Sequence, residues 1–400
     1  MLRIVQLLSV LDPASGGPSR CVLGLSRALA AQGAKVNLIA GGFSGKRYNF
    51  SNNVVSVEEH SFLYPRFGIP SPSMTKALWH AIDAADVVHL NGVWTGVITQ
   101  AGLLGRLFRK PMVLSPHGML DAHNMKRRRR FKQWYFRLVE QGNLNALAGF
   151  HFLDETEHIG CDWLQPTREL PSLVQPNGID LDALTLRLDG LPNHGLMAAV
   201  AERGARHIVF LGRLNVIKGL ELQLEVLADV RSAGQPVHLH WIGPDDGEWP
   251  KLQELAATLG VIDALHWHGP MYGDERLQWL QAADVVLLTS HYECNSVMAA
   301  EAMAVGGALL ATDTCHVDRP GLSGAVRLVP RDRHCLGMAL LDLLRDEHAA
   351  QRLRTRALAF ARSELDWQPL AQRMIGFYET LIKSSFANNV APAEFELPHF

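Results

Sequence analysis

Four hundred residues suffice for two or three domains of ordinary size, and a composition 48% hydrophobic against 20% charged supplies apolar residues for more than one core. Thirty-eight Lys and Arg are offset by forty Asp and Glu to a formal charge of −2, so no net field recommends nucleic acid as a partner. Cys21, Cys161, Cys294, Cys315 and Cys335 lie scattered without C-x-x-C spacing, which argues against a disulfide framework and a zinc site and fits a reducing compartment.

The chain opens on Met1-Leu-Arg-Ile-Val-Gln-Leu-Leu-Ser9. It lacks a basic leader and a cleavage site, and reads as a first strand rather than a signal peptide. No apolar run reaches the roughly 18 residues of a membrane span, so a cytoplasmic protein is expected. Strands are predicted at Arg3–Leu8, Val36–Ala40, Val54–Val57, Val87–Leu90, Met112–Ser115 and Phe150–Leu153. Helical patterns alternate with them at Ser19–Gln32, Ser73–Ala84, Thr95–Phe108, Met125–Leu147 and Glu155–Leu164. Such alternation predicts a parallel sheet covered on both faces. Residues 181–206 mix Pro, Gly, His and Asp without period and read as a linker. A second series follows: strands His207–Leu211, Val237–Ile242 and Leu265–Trp267, with helices Leu220–Ala233, Glu248–Leu259 and Asp274–Ala282. Strand Val326–Val329 and helices Leu336–Arg345 and Ala349–Glu364 complete it, and the tail Phe386–Phe400 is expected to be loosely held.

Chemistry concentrates between Asp284 and Thr312. An apolar run Asp284–Thr289 has the length of a buried strand. The polar turn Ser290-His-Tyr-Glu293-Cys-Asn-Ser296 follows, and Val297–Val305 reads as a helix capped by Asn295 or Ser296 and stopped by Gly306-Gly307. Strand, turn and helix N-terminus together are a usual phosphate site in an open α/β sheet, with the amides around Val297 and Met298 as donors. Glu293 and Glu301 bracket it. Eight residues advance a helix by about 80°, so both carboxylates face broadly the same side.

Glu293-x7-Glu301, with the string Glu301-Ala-Met-Ala-Val-Gly306, resembles the E-x7-E signature of the retaining family 4 glycosyltransferases. The resemblance extends over nearly the whole chain and implies the α/β GT-B fold: two doubly wound Rossmann-like domains facing a cleft. The first would span 1–180, the second 207–365, and residues 366–400 resemble the helix that crosses back to the first domain. Phe210-Leu-Gly-Arg213-Leu-Asn-Val-Ile-Lys218-Gly219 resembles the family's diphosphate clamp. There Arg213 and Lys218 would neutralise a leaving diphosphate, since cations at a helix start oppose the macrodipole unless an anion joins them. The resemblance also implies that Gly16 and Gly17 approach the donor phosphates. Asn295, Ser296, Val297, Met298 and Glu301 would hold the rest of the donor, Glu301 at the ribose hydroxyls. Glu293 and His117 (in Ser115-Pro-His-Gly118) would sit against the transferred sugar, with no side chain a secure nucleophile.

His89 ends a strand and is a candidate for the acceptor side. Lys126-Arg127-Arg128-Arg129-Arg130 precedes a pattern placing Phe131, Trp134, Tyr135, Leu138 and Val139 on one face. A basic amphipathic helix start of this kind fits an anionic membrane, an anionic acceptor or a solvated face equally. Asp180-Leu-Asp182 reads as a turn, and no metal or other cofactor is expected. Cys294-Asn295-Ser296 replaces the family's common G-F-G, so the identity of the sugar does not carry over. The expected function is transfer of a sugar from a nucleotide-diphosphate donor to a polysaccharide or lipid-linked acceptor hydroxyl, at the inner membrane face or free of it. A nucleotide-sugar epimerase and a catalytically silent sugar-nucleotide-binding subunit are the alternatives.

Overall fold

The computed structural model describes residues 1–11, 17–42, 47–50, 55–64, 67–120, 125, 129–164, 169–181, 184, 204–271, 273–317 and 324–387. The chain divides into two units, Met1–Gly178 with Trp367–Phe400, and Ile179–Asp366.

In the first unit β1 (Arg3–Val10), β2 (Lys35–Gly41), β3 (Arg47–Phe50) and β4 (Val55–His60) are followed by a short antiparallel ribbon, β5 (Phe62–Tyr64) and β6 (Ile69–Pro70). Then come β7 (Val87–Asn91), β8 (Met112–Ser115), β9 (Gly149–Phe152) and β10 (Ser172–Val174). Eight of these make one sheet in the order β10-β9-β8-β7-β1-β2-β4-β3. It is parallel except for β3, which runs antiparallel to β4. The parallel sheet anticipated from the alternation is thus a mixed one, and β3, β5 and β6, of two to four residues each, were too short to signal. The central strands are buried on both faces, which is why they read as continuous apolar runs.

The last helix, Trp367–Ala387, belongs to this unit. Its Leu370, Met374, Tyr378 and Leu381 share a core with Ile4, Leu29, Val36, Val87 and Val113. One helix was expected over 125–147. The structure instead has Arg129–Tyr135, a π-helical turn Phe136–Glu140, and Gln141–Asn145. The extra residue in the wide turn rotates the buried face: Phe136, Glu140 and Leu144 point inward, whereas Trp134 (62% exposed) and Leu138 (64%) point out.

The second unit holds β11 (Arg206–Leu211), β12 (Val237–Ile242), β13 (Leu265–Trp267), β14 (Val285–Leu288), β15 (Leu309–Thr312) and β16 (Arg327–Val329), all parallel, in the order β13-β12-β11-β14-β15-β16. This is the doubly wound Rossmann order, and the direction of winding reverses between β11 and β14, where Ile208 pairs with Val285 and Val209 with Val286. Helices Leu220–Ser232, Trp249–Thr258, Glu275–Ala282, Val297–Ala304, Arg333–Arg345 and Glu347–Glu364 connect and cover the strands. Ile179 donates its amide to the Leu365 carbonyl at 2.6 Å, tying the start of the unit to its end. Of the expected linker, residues 182–183 and 185–203 lie outside the described residues, as do 388–400 of the tail and Asp182 of the D-x-D string. No helix among the described residues is long and apolar enough to cross a membrane.

Candidate active site

The crevice outside the carboxyl ends of β11 and β14 is where an open α/β sheet takes a ligand. Two loops enter it, residues 212–219 and 289–296. They are stitched together by their backbones. His291 donates its amide to the Ile217 carbonyl at 2.7 Å. The Thr289 hydroxyl lies 3.1 Å from the carbonyls of both Lys218 and Gly219 and accepts from Gln223 Nε2 at 3.0 Å. Gln223 in turn accepts from the buried Trp241 Nε1 at 2.8 Å. Gly219 sits at φ +59°, and a Cβ there would run into the Thr289 carbonyl.

This stitching places the charged groups. Lys218 Nζ lies 2.5 Å from Glu293 Oε1, the two side chains 23% and 11% exposed. Ser290 Oγ donates to the same carboxylate oxygen at 2.6 Å. Arg213 leaves the first loop beside Asp246, at 3.9 Å. Ser296 caps the helix Val297–Ala304 by accepting from the Ala299 amide at 3.2 Å, and Gly306 at φ +75° ends it. Asn295, Ser296 and Val297 are half-buried at the mouth of that helix, Met298 is buried behind them, and Glu301 is buried one turn on. Glu301 Oε2 accepts from Arg276 on the neighbouring helix Glu275–Ala282. Arg276 was missed from sequence: its string Asp-Glu-Arg-Leu carries no signal, and its partner lies 25 residues away. Among the described residues no group of three or more His, Cys, Asp or Glu could hold a metal ion.

His117 and His89 belong to the first unit. His89 is fully enclosed, and both ring nitrogens are engaged. It is therefore a core histidine, not the acceptor-facing group that its place at a strand end suggested. Its chain of hydrogen bonds has one direction, set by a backbone carbonyl that can only accept. His151 Nε2 must donate to the Gln175 carbonyl (3.0 Å), so His151 Nδ1 accepts from Ser115 Oγ (2.7 Å). Ser115 then accepts from His89 Nε2 (2.7 Å), and His89 Nδ1 from the Tyr378 hydroxyl (2.5 Å). Tyr378 accepts from Gln6 Nε2 at 3.3 Å.

A second carbonyl fixes His117. Asn91 Nδ2 donates to the Leu7 carbonyl and to Gln6 Oε1, so Asn91 Oδ1 must accept from His117 Nε2 at 3.0 Å. His117 thus presents Nδ1 as an acceptor. The residue stands at φ +52°, a conformation non-glycine residues seldom adopt, and part of its surface reaches solvent. Burial and the neighbouring imidazoles keep His89 and His117 neutral, and burial pushes His151 down to about 4.

Gly16, Arg127 and Arg128 lie outside the described residues. Gly17 opens the helix Gly17–Ala31, and Arg129 and Arg130 open the helix Arg129–Tyr135.

Two family models match the chain: Glycosyltransferase Family 4 over residues 15–183 and Glycosyl transferases group 1 over residues 205–346. A D-inositol 3-phosphate glycosyltransferase of Arthrobacter sp. (strain FB24) is 25% identical, covering 92% of this chain and 91% of its own. Among solved structures, sucrose-phosphate synthase of Thermosynechococcus elongatus superposes with TM-score 0.71 at 18% identity, over 96% of this chain and 100% of that one. HepE of Anabaena, solved in complex with UDP and glucose, superposes with TM-score 0.70 at 16% identity, over 95% and 100%. Matches to both halves and a shared architecture along the length make this chain a glycosyltransferase of the family 4 type, with the GT-B fold.

Proposed function

We propose that the enzyme is a retaining transferase that moves a hexose-like sugar from a nucleotide-diphosphate donor to an acceptor hydroxyl, in the assembly of a cell-surface polysaccharide or glycolipid. The observation that carries this reading is the meeting of Lys218 and Glu293 at the point where the strand order reverses, with Arg213 on the same loop. Breaking a sugar–phosphate bond leaves negative charge on the departing diphosphate. Lys218 as a point charge and Arg213 as a planar fork stabilise that charge as it develops. Glu301 holds the ribose. Glu293 is the carboxylate of this crevice for the transferred sugar, and His117 of the first unit, neutral with Nδ1 accepting, can receive a hydroxyl. The leaving phosphate oxygen serves as base for the acceptor on the same face of the sugar, which retains the anomeric configuration. The solved complex of HepE with UDP and glucose supports a nucleotide-sugar donor.

Calorimetric titration with UDP, GDP and ADP, with and without Mg²⁺, tests the reading. One nucleotide is expected to bind at micromolar Kd in either condition and to lose affinity by about a hundredfold in Arg213→Ala, since one such donor is worth about 3 kcal/mol. Absence of binding to all three would remove the reading of Arg213 and Lys218 as a clamp for these donors.

The acceptor side has its own observation. Trp134 and Leu138 stand exposed on the helical stretch that Arg129 and Arg130 open. Aromatic and aliphatic groups beside cations suit the headgroup region of an anionic bilayer. Flotation with phosphatidylglycerol vesicles should carry the protein up, and Trp134→Ser with Leu138→Ser should leave it at the bottom of the gradient. Unchanged flotation of that double variant would exclude this face as the contact.

A further inference from the structure

The helix Glu275–Ala282 rests on an unusual layer. His207 of β11, His238 and His240 of β12, and His266 of β13 lie together on the sheet, with His268 directly after β13. His240 Nδ1 lies 3.0 Å from His268 Nε2, and His240 Nε2 lies 3.2 Å from His207 Nδ1. His238 Nδ1 meets His266 Nε2 at 3.0 Å. Trp279 covers this layer, its ring centroid 5.1 Å from that of His240 and 4.6 Å from that of His268. Flat rings packed on flat rings fix the rotation of the helix that carries Trp279.

Arg276 lies one turn before Trp279 and so on the same helical side. It donates to Glu301 Oε2, and the two side chains are 12% and 10% exposed. A carboxylate so nearly enclosed requires a cation against it. A guanidinium presents its donors in a rigid plane, so it constrains the plane of the carboxylate as well as its charge. Arg276, on the histidine-backed helix, therefore bears on the orientation of Glu301.

We propose that Arg276 is a positioning residue for nucleoside recognition: it orients Glu301 toward the two ribose hydroxyls and thereby sets the preference for ribonucleoside over 2′-deoxyribonucleoside diphosphates. The inference rests on the reading of Glu301 as the ribose ligand. A site aimed at a hydroxyl discriminates strongly against the analogue that lacks it, because its own polar group is then left unpaired. A carboxylate free to rotate discriminates less.

The test pairs UDP, GDP and ADP each with its 2′-deoxy form and measures Kd by calorimetry for the wild type, Arg276→Met, Arg276→Lys, Glu301→Gln and Arg213→Ala. For the nucleotide that binds, the wild type should favour the ribo form at least about tenfold. Arg276→Met and Glu301→Gln should bring the ratio close to one. Arg276→Lys, which keeps charge and loses the planar fork, should fall between. Arg213→Ala should weaken both forms alike and leave the ratio intact. A wild-type ratio in Arg276→Met alongside a lost ratio in Glu301→Gln would overturn the positioning role alone. Equal binding of ribo and deoxy forms by the wild type, or a full ratio in Glu301→Gln, would overturn the ribose reading and this inference with it. Should Arg276→Met fail to fold, Arg276→Lys at unchanged thermal stability decides: a wild-type ratio there refutes the role of the fork.

Discussion

The Lys218 ammonium and the Glu293 carboxylate meet at 2.5 Å and join the loop leaving β11 to the loop leaving β14. On the proposed reading a diphosphate entering this crevice would compete with Glu293 for Lys218, so the contact that supports folding is also one that the proposed chemistry would exchange.

A double-mutant cycle separates the two. Lys218→Met leaves Glu293, 11% exposed, with the Ser290 hydroxyl as its neutral partner, and should cost about 2 kcal/mol of unfolding free energy in the absence of donor. Adding Glu293→Gln should restore about half of that while turnover stays depressed by two or more orders of magnitude. Strictly additive stability losses in urea titrations would show that the pair contributes nothing to folding.

Gly219→Ala should be costly out of proportion to one methyl group. The added Cβ meets the Thr289 carbonyl at a backbone conformation that already disfavours it. A loss of about 1–3 kcal/mol is expected. Because Lys218 precedes it directly, nucleotide affinity should fall at least about tenfold in the folded variant, a change of about 1.4 kcal/mol. Calorimetry showing wild-type affinity would mean that the loop accommodates the methyl group without moving Lys218.

His89→Leu interrupts the buried chain between Tyr378 and Ser115. Two hydroxyls lose partners in a dry environment, for about 2–4 kcal/mol of destabilisation. Nucleotide affinity, assigned to the other unit, should not change at temperatures where the variant is folded. An intact melting temperature would contradict the single-direction chain.

Acid should destabilise the protein early. Burial pushes His151 down to about 4 and His240 to about 2, the latter also through His266, His268, His207 and His238, while Asp284 acts in the opposite sense on His207. Groups depressed in the folded state bind fewer protons than the unfolded chain below pH 6.5. Their contribution is complete above pH 6.5 and is lost as pH falls from there through the folded values. His151 alone accounts for a loss on the order of 3 kcal/mol by pH 4. Urea midpoints that stay level between pH 7 and pH 4.5 would refute the assignment of neutral buried imidazoles.

The second unit was the more legible from sequence. Val237–Ile242 and Leu265–Trp267 are strands with the anticipated bounds, because each alternates apolar residues with histidine at the period of a strand. Gly306 marks a helix stop because only its positive φ completes the turn. The misreadings share one cause, that partners remote in sequence decided the outcome. Periodicity put Trp134, Tyr135, Leu138 and Val139 on one face, of which Trp134 and Leu138 stand exposed; the inward positions Phe136 and Glu140 carried no signal, since the partner of Glu140, Thr99 Oγ1 at 2.5 Å, lies 41 residues away. His89 looked like a strand-end ligand, yet its partners stand 26 and 289 residues away. Nothing local distinguishes a histidine that meets substrate from one that carries a hydrogen-bond chain through a core.

The last helix has a further consequence, for the order in which the protein is made. Ile4, Leu29, Val36 and Val87 leave the ribosome well before Leu370, Met374 and Tyr378, which close the core that covers them. The second unit is one uninterrupted segment, Ile179–Asp366, and is synthesised in full before those residues emerge. Domains fold as units during synthesis, so the later-encoded unit can finish first, while the earlier-encoded one holds an apolar flank open for most of translation. Until the last helix arrives, that flank is apolar surface open to wrong partners.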